Sequence, residues 1–109
     1  MKIIENYPET LDKKTAFKMT EEEAIKLTEC EGQELQVDAY VLYEDVNAKG
    51  EEVTLLSILS DNKVYATISS TFIDKFMKIA DAFKEEGFSI EVVGGTSKAG
   101  RHYISCKVV

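Results

Sequence analysis

Apolar and polar residues alternate from Glu34 onward. Leu35, Val37, Ala39, Val41 and Tyr43 fall on one parity, and Gln36, Asp38, Tyr40 and Leu42 on the other. A two-residue period predicts a half-buried strand with Tyr40 turned outward. A polar stretch at 44–51, with a turn at Gly50, separates it from a second strand at 53–59. Asp61-Asn62-Lys63 predicts a tight turn, and 64–68 a third strand. In that strand Val64, Ala66 and Ile68 are expected inside and Tyr65 outside.

The period then changes. Phe72, Ile73, Phe76, Met77, Ile79, Ala80 and Phe83 recur at helical spacing, with Lys75, Lys78, Lys84 and Glu85 opposite them. Thr71 and Asp74 form a capping-box pair at its start, and Gly87 ends it. A fourth strand is predicted at 89–93, a glycine-rich loop at 94–100 and a fifth strand at 101–108. On that last strand Ile104, Cys106 and Val108 share one parity, which leaves Tyr103, Ser105 and Lys107 outward.

The first third is less regular. Residues 1–13 read as an extended or loosely held arm containing the only proline, Pro8. Weak alternation at 15–19, with Phe17 and Met19 on one side, suits a short strand. Thr20 followed by Glu21, Glu22 and Glu23 reads as a capping box opening a short helix near 21–29, with Gly32 beyond it. Consecutive acids at a helix start suit the helix dipole, so they are not taken as a metal or acid–base site.

Three strands, one helix and two strands form the chain order of the OB-fold, a small, partly open five-stranded barrel. The expected architecture is therefore all-β with one main helix, preceded by a short N-terminal strand and helix. The expected division is an arm at 1–13 and one domain at 14–109. An SH3-like barrel or an open α+β sheet uses similar elements, but the large apolar helix after the third strand favours the OB order.

Composition narrows the function. The 109 residues carry a net charge of −7. Residues 19–60 hold eleven acids against two lysines, whereas residues 88–109 hold three cations against one acid. An acidic body discourages indiscriminate adhesion to duplexes and anionic membranes, and leaves room for a local cationic groove. Cys30 and Cys106 lie far apart and His102 is the only histidine, too few ligands for zinc. Both cysteines are read as reduced thiols of a cytoplasmic protein. No apolar run near the N-terminus suits a signal peptide, and none approaches the roughly 20 residues of a membrane span. No nucleophile–base constellation, Walker loop or dinucleotide fingerprint is present, so neither catalysis nor a cofactor is expected. His102 has no partner motif and reads as an ordinary strand residue.

Several segments together carry a resemblance. They are Val41-Leu42-Tyr43-Glu44-Asp45 with Lys49-Gly50-Glu51, Thr71-Phe72-Ile73 with Phe76, and Gly95-Thr96-Ser97-Lys98-Ala99-Gly100-Arg101 with Ile104-Ser105-Cys106. From about Thr15 to the end the chain resembles the small single-stranded-DNA-binding proteins of phages and integrative elements of Gram-positive bacteria. The resemblance implies non-enzymatic binding of single strands in replication or recombination of such an element. Familiar cellular proteins of this function end in an acidic tail that recruits partners. This chain ends inside a strand, so replication or recombination proteins would need another surface.

Binding single strands without sequence preference needs a cationic path and aromatic faces on which bases stack. With no Trp, tyrosines must supply the faces. The expected contacts are Tyr103, Tyr65 and Tyr40 for bases, and Lys98, Arg101, Lys107, Lys49 and Lys63 for phosphates. Edge strands free to pair would allow a homodimer. The competing reading is an acidic protein-interaction module, or a DNA mimic that inhibits a nucleic-acid enzyme. Oligosaccharide binding on the same fold is a weaker third.

Overall fold

The computed structural model describes residues 1–109. Eight strands and two helices follow in order: β1 (Lys2–Tyr7), α1 (Lys13–Glu21), β2 (Ile25–Lys26), β3 (Glu34–Val37), β4 (Ala39–Val46), β5 (Glu52–Ser60), β6 (Lys63–Thr67), α2 (Ser70–Phe83), β7 (Phe88–Thr96) and β8 (His102–Val108). One sheet runs β1-β4-β5-β6-β2 and the other β3-β7-β8. Every pair is antiparallel except the short β2–β6 pair. The sheets share the bent run β3–β4, but β6 and β8 do not pair, so they do not close into a barrel. No helix is long and apolar enough to cross a membrane.

The bend falls at Asp38. Its N–H donates to the Leu59 carbonyl at 2.9 Å, and its carboxylate accepts the Asp61 N–H at 2.9 Å. One unpaired residue shifts the facing of everything after it. Leu35 and Val37 enter the main core; past the bend Tyr40 enters it, while Ala39, Val41 and Tyr43 face the opposite way. The main core joins Phe72, Phe76, Ile79 and Ala80 of α2 to Leu56, Ile58, Ile90, Val92, Ile104 and Cys106. A second, smaller core lies on the other face of the five-stranded sheet, where Met19 of α1 covers Ala39, Val41 and Tyr43. The Ser57 hydroxyl donates to the Met19 carbonyl at 2.6 Å and pins the end of α1 there.

The second core corrects the reading of the first third. Residues 15–19 form the middle of helix α1, not a strand. Asp12 is the N-cap: its carboxylate accepts the Thr15 N–H at 3.2 Å and the Thr15 hydroxyl at 2.6 Å. Those bonds hold the Asp12 carboxyl below its ordinary range. The expected helix near 21–29 does not form. Thr20 lies in the last turn of α1, where its hydroxyl donates to the Ala16 carbonyl at 2.8 Å, so it opens no new helix. The following residues give β2 and a single 3₁₀ turn, Leu27–Glu29. Within 1–13, residues Lys2–Tyr7 pair antiparallel with β4.

Later elements follow their sequence signals closely. Asp61 and Asn62 adopt φ of 49° and 63°, the pair of positive values that a two-residue hairpin turn demands. Helix α2 is capped by Ser69, whose hydroxyl accepts the Phe72 N–H at 3.3 Å, two residues before the expected Thr71. Strand β7 continues through both glycines to Thr96, which shortens the loop to 97–101.

Candidate nucleic-acid interface

Two of the three expected stacking tyrosines are inside. Tyr40 is 0% exposed. Its ring stacks on Tyr7 at 5.8 Å and meets the Phe76 edge at 5.3 Å. Its hydroxyl donates to Glu5 at 2.5 Å, and Lys84 lies 3.6 Å from the same carboxylate. Burial, then the Glu5 hydrogen bond, push the Tyr40 phenol well above its ordinary range. Tyr65 is 4% exposed in the main core, with its hydroxyl accepting from Gln33 Nε2 at 3.3 Å. Neither ring offers a face to a base. The parity argument placed them wrongly because both faces of the five-stranded sheet are covered, so alternation there does not separate core from solvent. Ile68, expected inward, is exposed because β6 ends at Thr67.

Tyr103 is outward. It sits opposite Gly95 on the solvent face of the three-stranded sheet. A Cβ at Gly95 would lie 2.5 Å from the Tyr103 ring, so the ring rests on bare backbone. That arrangement holds the ring against the sheet and leaves its other side open, at 40% exposure. Ser105 and Lys107 continue the same face, and the Lys107 ammonium is 3.6 Å from Glu91 on the neighbouring strand. Its charge is thus largely offset within the sheet.

The β7–β8 hairpin beyond Tyr103 carries Lys98 and Arg101. Ser97 organises it: its N–H donates to the Arg101 carbonyl at 2.8 Å, and its hydroxyl accepts the Arg101 N–H at 3.2 Å. Gly100, at φ 81°, makes the turn that a side chain would strain. Lys98 and Arg101 are exposed, and neither has a carboxylate within salt-bridge distance. They are free cations on a hydrogen-bonded hairpin, next to an open aromatic ring.

Lys49 and Lys63 do not join them in one compact patch. Lys49 lies in the β4–β5 loop, where the Asn47 side chain accepts the Lys49 N–H at 2.9 Å. Lys63 follows the β5–β6 turn, at the other end of β5. The nine residues of β5 separate the two ends by roughly 30 Å.

Two features were not legible beforehand. A groove of about 350 Å³ opens on β5 and β6 beside β2, lined by Lys26, Thr28, Leu55, Ala66, Thr67 and Ile68. It appears only once β2 is known to lie along β6. The other is a contact between the Glu31 carboxylate and His102 Nε2, beside Gly94. Seventy-one positions separate those residues in the chain, and no local motif links them.

The fold defines the class: a β-rich domain of two open sheets, with one exposed aromatic ring beside a hairpin whose two cations have no carboxylate partner. The chain matches the phage single-stranded DNA-binding protein family of the Phi29 type over residues 9–109, and belongs to it. No curated protein and no solved structure matches it.

Proposed function

We propose that the protein coats single-stranded DNA during replication or recombination of a phage or mobile element, without doing chemistry on it. In this reading a base stacks on Tyr103 while Lys98 and Arg101 hold the flanking phosphates. Lys107, tempered by Glu91, plays a lesser part, and Lys49 and Lys63 touch only a strand long enough to follow the protein surface. The frame is that of an opened OB barrel. The sheet edges at β1 and β8 support association of copies into a homodimer that lengthens the path, and replication or recombination proteins would use another part of the surface. The observation that carries the reading is the pair of unneutralised cations beside Tyr103 in a member of this family.

The test is titration of labelled oligo-dT by fluorescence anisotropy at two salt concentrations. Binding weakens as salt rises, and duplex binds far less well. Changing Lys98 and Arg101 together to Ala removes two phosphate contacts and flattens the log–log salt slope by roughly 1.4, at about 0.7 per contact for single strands. Absence of binding to oligo-dT at low salt overturns the proposal.

A further inference from the structure

Strand β7 outruns its neighbour. Pairing with β3 ends at Glu34 and Glu91, and the last bonds on that side run from Val92 N–H to the Gln33 carbonyl at 3.0 Å and from Gly32 N–H to the Val92 carbonyl at 2.7 Å. Backbone direction alternates along an antiparallel strand. Ser97 turns its N–H to β8, as its bond to the Arg101 carbonyl shows, so Gly95 and Val93 do likewise. Gly94 and Thr96 therefore turn their amides to the edge that β3 leaves open.

At that edge lies a cleft of about 590 Å³, with Glu31, Gly32, Gly94, Thr96 and His102 in its wall. His102 stands opposite Thr96, on the same face as Gly94. The donors are thus two backbone amides and an imidazole, at the foot of the hairpin that bears Lys98 and Arg101. What fills the space beside them is a carboxylate. Glu31 contacts His102 Nε2, and a Cβ at position 94 would overlap its carboxyl group. Position 94 must be glycine for Glu31 to lie there. Both side chains remain solvent-accessible, at 62% for His102 and 40% for Glu31, so the pair can part without opening the core.

No amide of Gly94 or Thr96 donates to Glu31; the carboxylate lies over the face of Gly94 and takes the His102 donor, which a phosphodiester oxygen at this edge would share with those amides. We propose that the open edge of Gly94 and Thr96, with His102, is a phosphate subsite, and that Glu31 occupies its His102 donor in the free protein as an internal competitor. An incoming strand displaces Glu31 and gains the subsite. The competitor raises the threshold for short or isolated anions, while a strand already held by Lys98, Arg101 and Tyr103 overcomes it by local concentration. This inference rests on the single-strand reading above.

The experiment compares wild type, Glu31→Gln, Glu31→Ala and Glu31→Gln/His102→Ala in oligo-dT titrations across a salt series, with thermal unfolding of each. Both single variants bind several-fold more tightly at low salt. Their log–log salt slope stays near the wild-type value, because the strand reaches the subsite in every case and no Lys or Arg contact is added. Adding His102→Ala cancels the gain. Tightening that survives loss of His102, or folded single variants with unchanged or weaker affinity, overturn the subsite. Failure of wild type to bind oligo-dT overturns the single-strand reading instead, so the two failures are distinguishable.

Discussion

Replacing Tyr103 by Ala isolates the aromatic half of the proposed interface. The ring lies on Gly95, so one side is taken by backbone and one is free. It can stack one base, not two. Stacking is worth roughly 1–3 kcal/mol per base by alanine substitution. At about 1.4 kcal/mol per factor of ten, Tyr103→Ala should weaken oligo-dT binding by about 5- to 150-fold. The salt slope should stay at the wild-type value, because no charge is removed. Tyr103→Phe keeps the face and should bind close to wild type. Anisotropy titration of the three proteins across a salt series reads both quantities. The ring is 40% exposed, so the variant should remain folded, and circular-dichroism melting checks this. A folded Tyr103→Ala protein with wild-type affinity would refute the stacking argument, however the cations behave.

Gly95→Val drives the ring off its seat, so it should reproduce much of the Tyr103→Ala loss while oligo-dT affinity remains salt-dependent to the same degree. Tyr40→Phe removes the hydrogen bond to Glu5 from a buried ring; urea unfolding should show a loss of about 1–2 kcal/mol, with DNA affinity unchanged. Met19→Ala empties the second core and should cost about 2–5 kcal/mol in the same assay, because Met19 is 1% exposed. Burial pushes the Cys106 thiol from 9.0 up to about 12. The unfolded chain therefore releases this proton first as pH rises. The contribution is full below pH 9.0 and declines between 9.0 and about 12, by about 1.4 kcal/mol per pH unit. Urea titrations at pH 8 and pH 10 should accordingly show a smaller alkaline loss in Cys106→Ala than in wild type.

The elements from β3 to β8 were legible because each had one dominant signal: alternation, a positive-φ turn pair, an apolar helical stripe. The facing of strands was less so. Alternation tells core from solvent only when one face is wet. Here α1 covers the second face of the five-stranded sheet, and Asp38 slips the phase by one residue. Tyr40 and Tyr65 were misplaced on those two accounts, whereas Tyr103 was placed correctly because the outer face of its three-stranded sheet is open. The first third failed for a different reason. Helix α1 buries one side chain fully, so it carries no apolar stripe, and Thr20 sits at its end looking like the start of another helix. The Glu31–His102 contact had no local signal, since it depends on how far β7 runs past β3.

The acidic body and the anionic ligand are reconciled by where the charges sit. Of the acids in 19–60, Asp38 and Asp45 are engaged at the surface by backbone N–H groups and, for Asp45, by the N-terminal ammonium, and Glu31 is held on His102. The cations near Tyr103 divide the same way: Lys107 is held by Glu91, while Lys98 and Arg101 stand free at the hairpin tip. Net charge acts at long range, where salt screens it beyond about 10 Å at 0.1 M. Hydrogen-bonded contact with a phosphate acts inside that distance. A strand is therefore repelled weakly on approach and held locally once it reaches the hairpin. Removing acids far from β7 and β8 should speed association at low salt and leave dissociation alone. Removing Lys98 or Arg101 should chiefly speed dissociation. Stopped-flow rates for Glu22→Gln/Glu23→Gln against Lys98→Ala separate the two, and a changed dissociation rate in the distant acid variant would contradict the local picture.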